Sequence, residues 1–184
     1  MGIESLGVAI FLQTGGETMR ILLAIDPGTY QSGIVEYDVT NGKVASCGIE
    51  DNAKIEELLG GVINEDYRLA IEMIGCYGMP VGRETFETCV WIGRFLGAWN
   101  QARETQCLGQ IAVYRREVKL HLCNSARAKD KNIRQAILDC FMPSGGGKTP
   151  QIGTKAAPGP LYGVKSHIWA ALGVALTFAA RERL

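Results

Sequence analysis

Met19-Arg20-Ile21-Leu22-Leu23-Ala24-Ile25-Asp26-Pro27-Gly28-Thr29-Tyr30-Gln31-Ser32-Gly33-Ile34-Val35-Glu36-Tyr37 is the stretch on which the fold turns. Its first part, Ile21 to Ile25, is a short and nearly continuous apolar run, the composition of a central strand buried on both faces. The run stops at Asp26, and Pro27-Gly28 turns the chain behind it. Gly33 to Val39 reads as a second strand, so the two are expected to pair as a hairpin with Asp26 at its open end. An aspartate at a strand end most often forms a turn or caps a helix. Whether Asp26 does more depends on which other metal-binding side chains reach strand or helix ends beside it.

Moving outward, Asn41-Gly42 is a strong hairpin signal and leads into a third strand, Lys43 to Glu50. Asn52 to Ile63 has helical spacing, with Ile55, Leu58, Leu59 and Val62 along one stripe. Tyr67 to Ile74 is a fourth strand, and Cys76 to Gly82 is a Gly/Pro loop carrying Tyr77 and Met79. Arg83 to Arg103 is a long helix, apolar on more than one side: Phe86, Val90, Gly93 and Gly97 follow one face, and Trp91, Phe95 and Trp99 another. A helix this apolar needs a second cover besides its own sheet. The expectation is a homodimer packed along helix 83–103, with Gly93 and Gly97 permitting close approach; a central core helix is the plainer account.

Gly109 to Tyr114 is a fifth strand, followed by helices at Glu117 to Asn124 and Lys129 to Phe141. Pro143 to Pro160, rich in Gly, Pro and Lys, is expected to be mobile. Val164 to Ala180 closes the chain as an apolar helix, with Ser166 a plausible cap ahead of His167. Three strands, a helix, a strand, a helix, a strand and then helices imply an α/β architecture with one mixed five-stranded sheet flanked by helices.

The totals agree with one domain. The 184 residues carry 19 basic and 19 acidic side chains, and 47% are hydrophobic, which argues against disorder and against a membrane span. The six cysteines form no C-x-x-C pair, which points to reduced, mostly buried thiols in a cytoplasmic protein and away from disulfides or structural zinc. Residues 1–18 look appended, without a basic region or cleavage site of a secretory signal. Met19, directly before the first strand, is the candidate natural start, and 19–184 the folded domain.

Three residues raise the question of chemistry. Glu72 lies in the middle of Leu69-Ala70-Ile71-Glu72-Met73-Ile74, where a carboxylate must face solvent on an edge strand or have a partner. If the strand is central and beside the first, Glu72 and Asp26 can share a hydrated Mg²⁺, which takes few carboxylates and keeps waters. His167 opens the last helix; such a histidine is usually structural or exposed, unless that helix returns to the two carboxylates. Basic residues gather at Arg115, Arg116, Lys119, Arg127, Lys129, Lys131 and Arg134, extended by Lys148 and Lys155. This is either a solvated helix face or a phosphate-binding surface.

Together these segments resemble the RuvC family of Holliday-junction resolvases, within the ribonuclease H-like superfamily, from about Met19 to Thr177. Ile25-Asp26-Pro27-Gly28 with Gly33 is similar to the family's first motif, and Ala70-Ile71-Glu72 to its second. Tyr114-Arg115-Arg116-Glu117-Val118-Lys119 resembles the basic segment, and Ser166-His167-Ile168-Trp169-Ala170-Ala171-Leu172 the last motif. In that last motif His167 takes the first ligand position, but the second, often an acid, is Ala170.

The resemblance implies a Mg²⁺-dependent endonuclease, with Mn²⁺ as substitute, that nicks opposing strands of a four-way junction and leaves 5′-phosphate and 3′-hydroxyl ends. It implies two ions per site, Asp26 bridging them with Glu72 and His167 as outer ligands, and Lys119 beside the scissile phosphate. A symmetric dimer would present two sites to opposite strands. Tyr77 is either a surface aromatic or a stacking partner for an unpaired base.

Other classes remain open at this point. Asp-x-Gly-Thr also opens the phosphate loop of actin-like kinases, but that fold needs two such domains and a later Gly-rich loop. Nearer readings are a junction-binding protein with little or no cleavage, suggested by Ala170, and a related nuclease acting on flaps, forks or RNA.

Overall fold

The computed structural model describes residues 21–62, 66–76, 78, 80–101 and 111–184. The N-terminal extension and Tyr77 lie outside them. Ten elements follow in order: β1 (Ile21–Asp26), β2 (Gln31–Asp38), β3 (Lys43–Asp51), α1 (Asn52–Gly61), β4 (Tyr67–Met73), α2 (Arg83–Gln101), β5 (Ala112–Tyr114), α3 (Arg115–Cys123), α4 (Asp130–Asp139) and α5 (Ile168–Glu182).

The strands form one five-stranded sheet in the order β3-β2-β1-β4-β5. β1, β2 and β3 are antiparallel neighbours, whereas β4 runs parallel to β1 and β5 parallel to β4. The apolar run of β1 is therefore central. Strand alternation divides it between two layers. Leu22 and Ala24 join Val35, Ala70 and Val113 beneath α3, α4 and α5. Ile21, Leu23 and Ile25 join Leu69, Ile71, Phe95 and Trp99 beneath α1 and α2. The edge-strand alternative for Glu72 is thereby removed, because β4 lies between β1 and β5.

Several local expectations are corrected. Asp26 stands at the closed end of the β1–β2 hairpin, opposite Gly33, and not at its open end. The turn behind it is tied down by side chains: Gly28 N–H donates to Ser32 Oγ at 3.1 Å, Ser32 Oγ to Asn52 Oδ1 at 2.6 Å, and Asn52 Nδ2 to the Gly28 carbonyl at 2.9 Å. Ser32 and Asn52 are buried. A polar triangle of this kind holds the turn rigid because each buried group is satisfied.

The segment after α4 is not a loose loop. Gly145 N–H bonds the Pro150 carbonyl, Gly146 N–H that of Ala157, and Gly159 N–H that of Ile152. A Cβ on Gly159 would lie 2.2 Å from the Pro150 carbonyl oxygen. Its glycines thus permit close backbone packing here. The thiols are also less buried than expected. Among the described residues Cys76, Cys89 and Cys140 are exposed and Cys47 and Cys123 partly so, all of them free.

On α2 the two apolar faces part company. Phe95 and Trp99 are fully buried against the sheet, so Trp99 belongs to the inner face. Phe86 and Val90 are each 61% exposed, and Gly93 and Gly97 have nothing within 4 Å of an added Cβ. No helix among the described residues is long and apolar enough to cross a membrane.

Candidate active site

The three parallel strands end along one edge of the sheet, the place where open α/β sheets hold ligands. Register decides what meets there. Ala24 pairs with Ala70 and Ile25 with Ile71, so Asp26 and Glu72 come next on neighbouring strands. Counting by two from Leu22 and Ala24, and from Ala70, puts both carboxylates on the α5 side. Beyond β4, Met73 pairs with Tyr114, and the chain enters α3 at Arg115 directly beside Glu72.

The start of α5 brings the third residue. His167 Nδ1 lies 2.9 Å from Asp26 Oδ2, a contact spanning 141 positions of sequence. The approach requires Gly33, where a Cβ would stand 2.8 Å from the His167 backbone. Ser166 is not the side-chain cap expected of it. It adopts φ +43°, a left-handed conformation rare outside glycine. Helix α5 begins instead with main-chain bonds, the Ser166 carbonyl accepting from Trp169 N–H at 3.2 Å. The helix therefore starts at Ile168, later than the Val164 expected from hydropathy, and the His167 imidazole stays directed at Asp26.

Asp26, Glu72 and His167 line one open cleft of about 680 Å³ together with Arg115, Asp130, Lys131, Arg134, Trp169 and Ala170. Burial, followed by the charge of Asp26, pushes the Glu72 carboxyl up to about 8, despite the opposing pull of Arg115. The closeness of the Asp26 side chain favours the neutral form of the Glu72 carboxyl. Arg115 Nη1 is 3.7 Å from Glu72 Oε1, and Nη2 is 2.6 Å from Asp130 Oδ1.

Two neighbouring carboxyls, one of them buried, with an imidazole in contact, suit a hard divalent cation such as Mg²⁺ or Mn²⁺. Among the described residues no three of His, Cys, Asp and Glu already surround a single metal position. His167 is engaged with Asp26 itself. The donor set thus fits an ion held mainly by Asp26 and Glu72 that keeps much of its water.

Of the basic cluster, Arg115, Lys131 and Arg134 reach the cleft, whereas Lys119, one turn further along α3, does not line it. Arg116, Arg127 and Lys129 are exposed on the same flank of the chain, the stretch from α3 to the start of α4. Asp130 was not singled out by sequence, because an acid at a helix start is ordinary. Trp169, whose ring lies 4.8 Å beneath the Arg134 guanidinium, was likewise hidden within an apolar helix.

Comparison with known proteins bears on the fold. Thermus thermophilus RuvC in complex with a Holliday junction substrate superposes with TM-score 0.57 at 19% identity, covering 89% of this chain and 96% of that one. A second T. thermophilus RuvC structure gives TM-score 0.55 at 18% identity over the same shares. No protein-family model and no curated protein matches the chain. The fold is the one these RuvC structures have, a ribonuclease H-like mixed sheet flanked by helices.

Proposed function

We propose that the chain is a divalent-metal-dependent, structure-specific endonuclease that resolves four-way DNA junctions. The observation that supports this best is the meeting of Asp26, Glu72 and His167, from three distant segments, in one cleft bordered by Arg115, Lys131 and Arg134. It does so on a fold shared with a RuvC bound to junction DNA.

Asp26, Glu72 and His167 would hold Mg²⁺ or Mn²⁺, two ions where waters complete the shell. The metal supplies an activated water and charge neutralisation at the scissile phosphate. A bound cation would favour the ionised form of the Glu72 carboxyl. His167 orients Asp26 through the 2.9 Å contact. Arg115, Lys131 and Arg134 would offset the negative charge of an entering backbone, and the exposed Arg116, Arg127 and Lys129, with the partly buried Lys119, would extend the contact along a duplex arm. The exposed Phe86 and Val90 stripe of α2 would seat a second copy, which sets two clefts on opposite strands.

A synthetic four-way junction incubated with Mg²⁺ tests the proposal. Paired nicks are expected from the wild type. Asp26→Asn should abolish them while junction binding stays within a few-fold, because phosphate contacts dominate affinity. Loss of binding with unchanged cleavage per bound complex would contradict the metal-ligand role. A second reading, junction binding without cleavage, draws on Ala170, which puts a methyl group where a further carboxylate would line the cleft. Binding without nicks at every Mg²⁺ and Mn²⁺ concentration would favour it.

A further inference from the structure

Arg134 and Trp169 meet in the cleft from two different helices. The Arg134 guanidinium, carried by α4, stands 4.8 Å from the centre of the Trp169 ring on α5, and both residues line the cleft that holds Asp26, Glu72 and His167. Charge pairing does not put Arg134 there. Asp130 lies one turn earlier on α4, where an acid ordinarily meets an arginine four residues on. That acid is taken by Arg115 at 2.6 Å. Among the described residues Arg134 makes no ion pair or hydrogen bond. The indole face holds its guanidinium instead, through the ring quadrupole, and restrains an otherwise mobile side chain.

What such a pair receives follows from its shape. Trp169 is partly buried and packs on the core, whereas Arg134 above it is exposed. The guanidinium therefore offers a ligand its outer face, with an aromatic ring fixed behind it. A phosphate is met by N–H donors at the guanidinium edge and gains little from an indole behind the plane. A nucleobase is met by the face, since unstacked bases pile onto arginine planes and aromatic rings alike. The cleft, about 680 Å³ and open, is of a size that takes such a ligand. A purine, with the larger π face, gains more than a pyrimidine.

We propose that Arg134, stacked on Trp169, is a platform for the base of a nucleotide flanking the scissile phosphate, and that it favours a purine there. This rests on the nuclease reading above, which sets that phosphate at Asp26 and Glu72 in the same cleft. Bases within a duplex arm are already stacked on their neighbours. The base that turns to Arg134 is one left unpaired or strained where the arms meet. Arg134 takes no proton and forms no bond. It adds a face to the charge it already brings, and so fixes which nucleotide lies beside the carboxyls.

The test measures binding of synthetic four-way junctions, without added metal, to the Asp26→Asn protein, in which cleavage is off. One junction is intact, and each of a series lacks the base at one position around the crossover. One abasic position should weaken binding about tenfold, the worth of one stacked base, and it should adjoin the nick that native Asp26 protein makes with Mg²⁺. Adding Arg134→Ala should weaken the intact junction about tenfold, and the junction abasic at that position about twofold at most, from lost charge. Arg134→Lys keeps the charge and lacks the plane, so it should bind the intact junction nearly as weakly as the alanine variant. A purine at that position should bind several-fold tighter than a pyrimidine, and the preference should vanish in both variants. Both alter an exposed side chain, and either one carries the comparison if the other fails to fold. Undiminished binding by Arg134→Lys, or equal weakening of intact and abasic junctions by Arg134→Ala, overturns the proposal, as does a sensitive position remote from the nick. Native Asp26 protein that binds but never nicks overturns the nuclease reading instead, and the abasic series still decides the platform.

Discussion

Glu72→Gln isolates the central electrostatic feature of the cleft, because the amide keeps the size of the side chain and removes its ionisation. Burial, then the neighbouring charge of Asp26, raises the Glu72 carboxyl from 4.5 to about 8. The native chain thus holds a proton that the unfolded chain releases near pH 4.5. The contribution of Glu72 is fully favourable below that value, and stability falls as pH rises through the window up to about 8. That displacement sets a ceiling of about 5 kcal/mol. Relaxation and water entering the open cleft reduce it to about 2–3 kcal/mol. Urea unfolding in chelator should find the two proteins nearly equal at about pH 5, and the glutamine variant more stable by about 2–3 kcal/mol at about pH 9. Adding Mg²⁺ at the higher pH should narrow or close the gap. The wild type gains about 2.7 kcal/mol at a hundredfold excess over its Kd, and the variant, with one carboxylate gone, gains less. A difference between the two proteins that stays constant from pH 5 to pH 9 would refute the argument from burial and the neighbouring charge of Asp26.

Three other perturbations follow from geometry. Gly33→Ala drives a methyl group into the His167 backbone at 2.8 Å, and should cost about 1–3 kcal/mol in denaturant melts while displacing the imidazole NMR signal of His167; an unshifted signal would argue against the contact. Phe86→Glu with Val90→Glu alters only side chains 61% exposed, so the fold should be unaffected and the sedimenting mass should halve if α2 seats a second copy. An unchanged mass removes the α2 interface. Gly159→Ala meets carbonyl oxygens of Pro150 and Gln151 at 2.2 and 2.4 Å, and should destabilise the chain by about 3 kcal/mol. A neutral effect in thermal melts would show that the 143–160 segment is loose after all.

What could be read from sequence was what neighbouring residues decide among themselves. Ile21 to Ile25 had to be a buried strand because no other element keeps so short an apolar run out of water. Asp26 and Glu72 stood out because a carboxylate within such a run carries a solvation cost that demands a reason. Asn41-Gly42 turned the chain by its own backbone preference, and Gly42 does adopt φ +63°. His167 stood out only as the opening residue of a last helix that could return to the two carboxylates, and through its resemblance to a motif, since a histidine at a helix start has no local signature. Pro143 to Pro160 was misread because glycine permits looseness and close packing equally, and composition alone does not distinguish them. The tertiary structure decided everything that depends on which distant segments meet. It placed β4 beside β1 with Ala24 opposite Ala70, so that the charge of Asp26 acts on the buried Glu72 carboxyl. It set a half-buried Arg115 beside Glu72, anchored on an Asp130 that carries no mark in the sequence. Burial and Coulomb interactions act through space, whereas a sequence records only separation along the chain, and the 141 positions between Asp26 and His167 close to 2.9 Å only when the sheet and α5 pack.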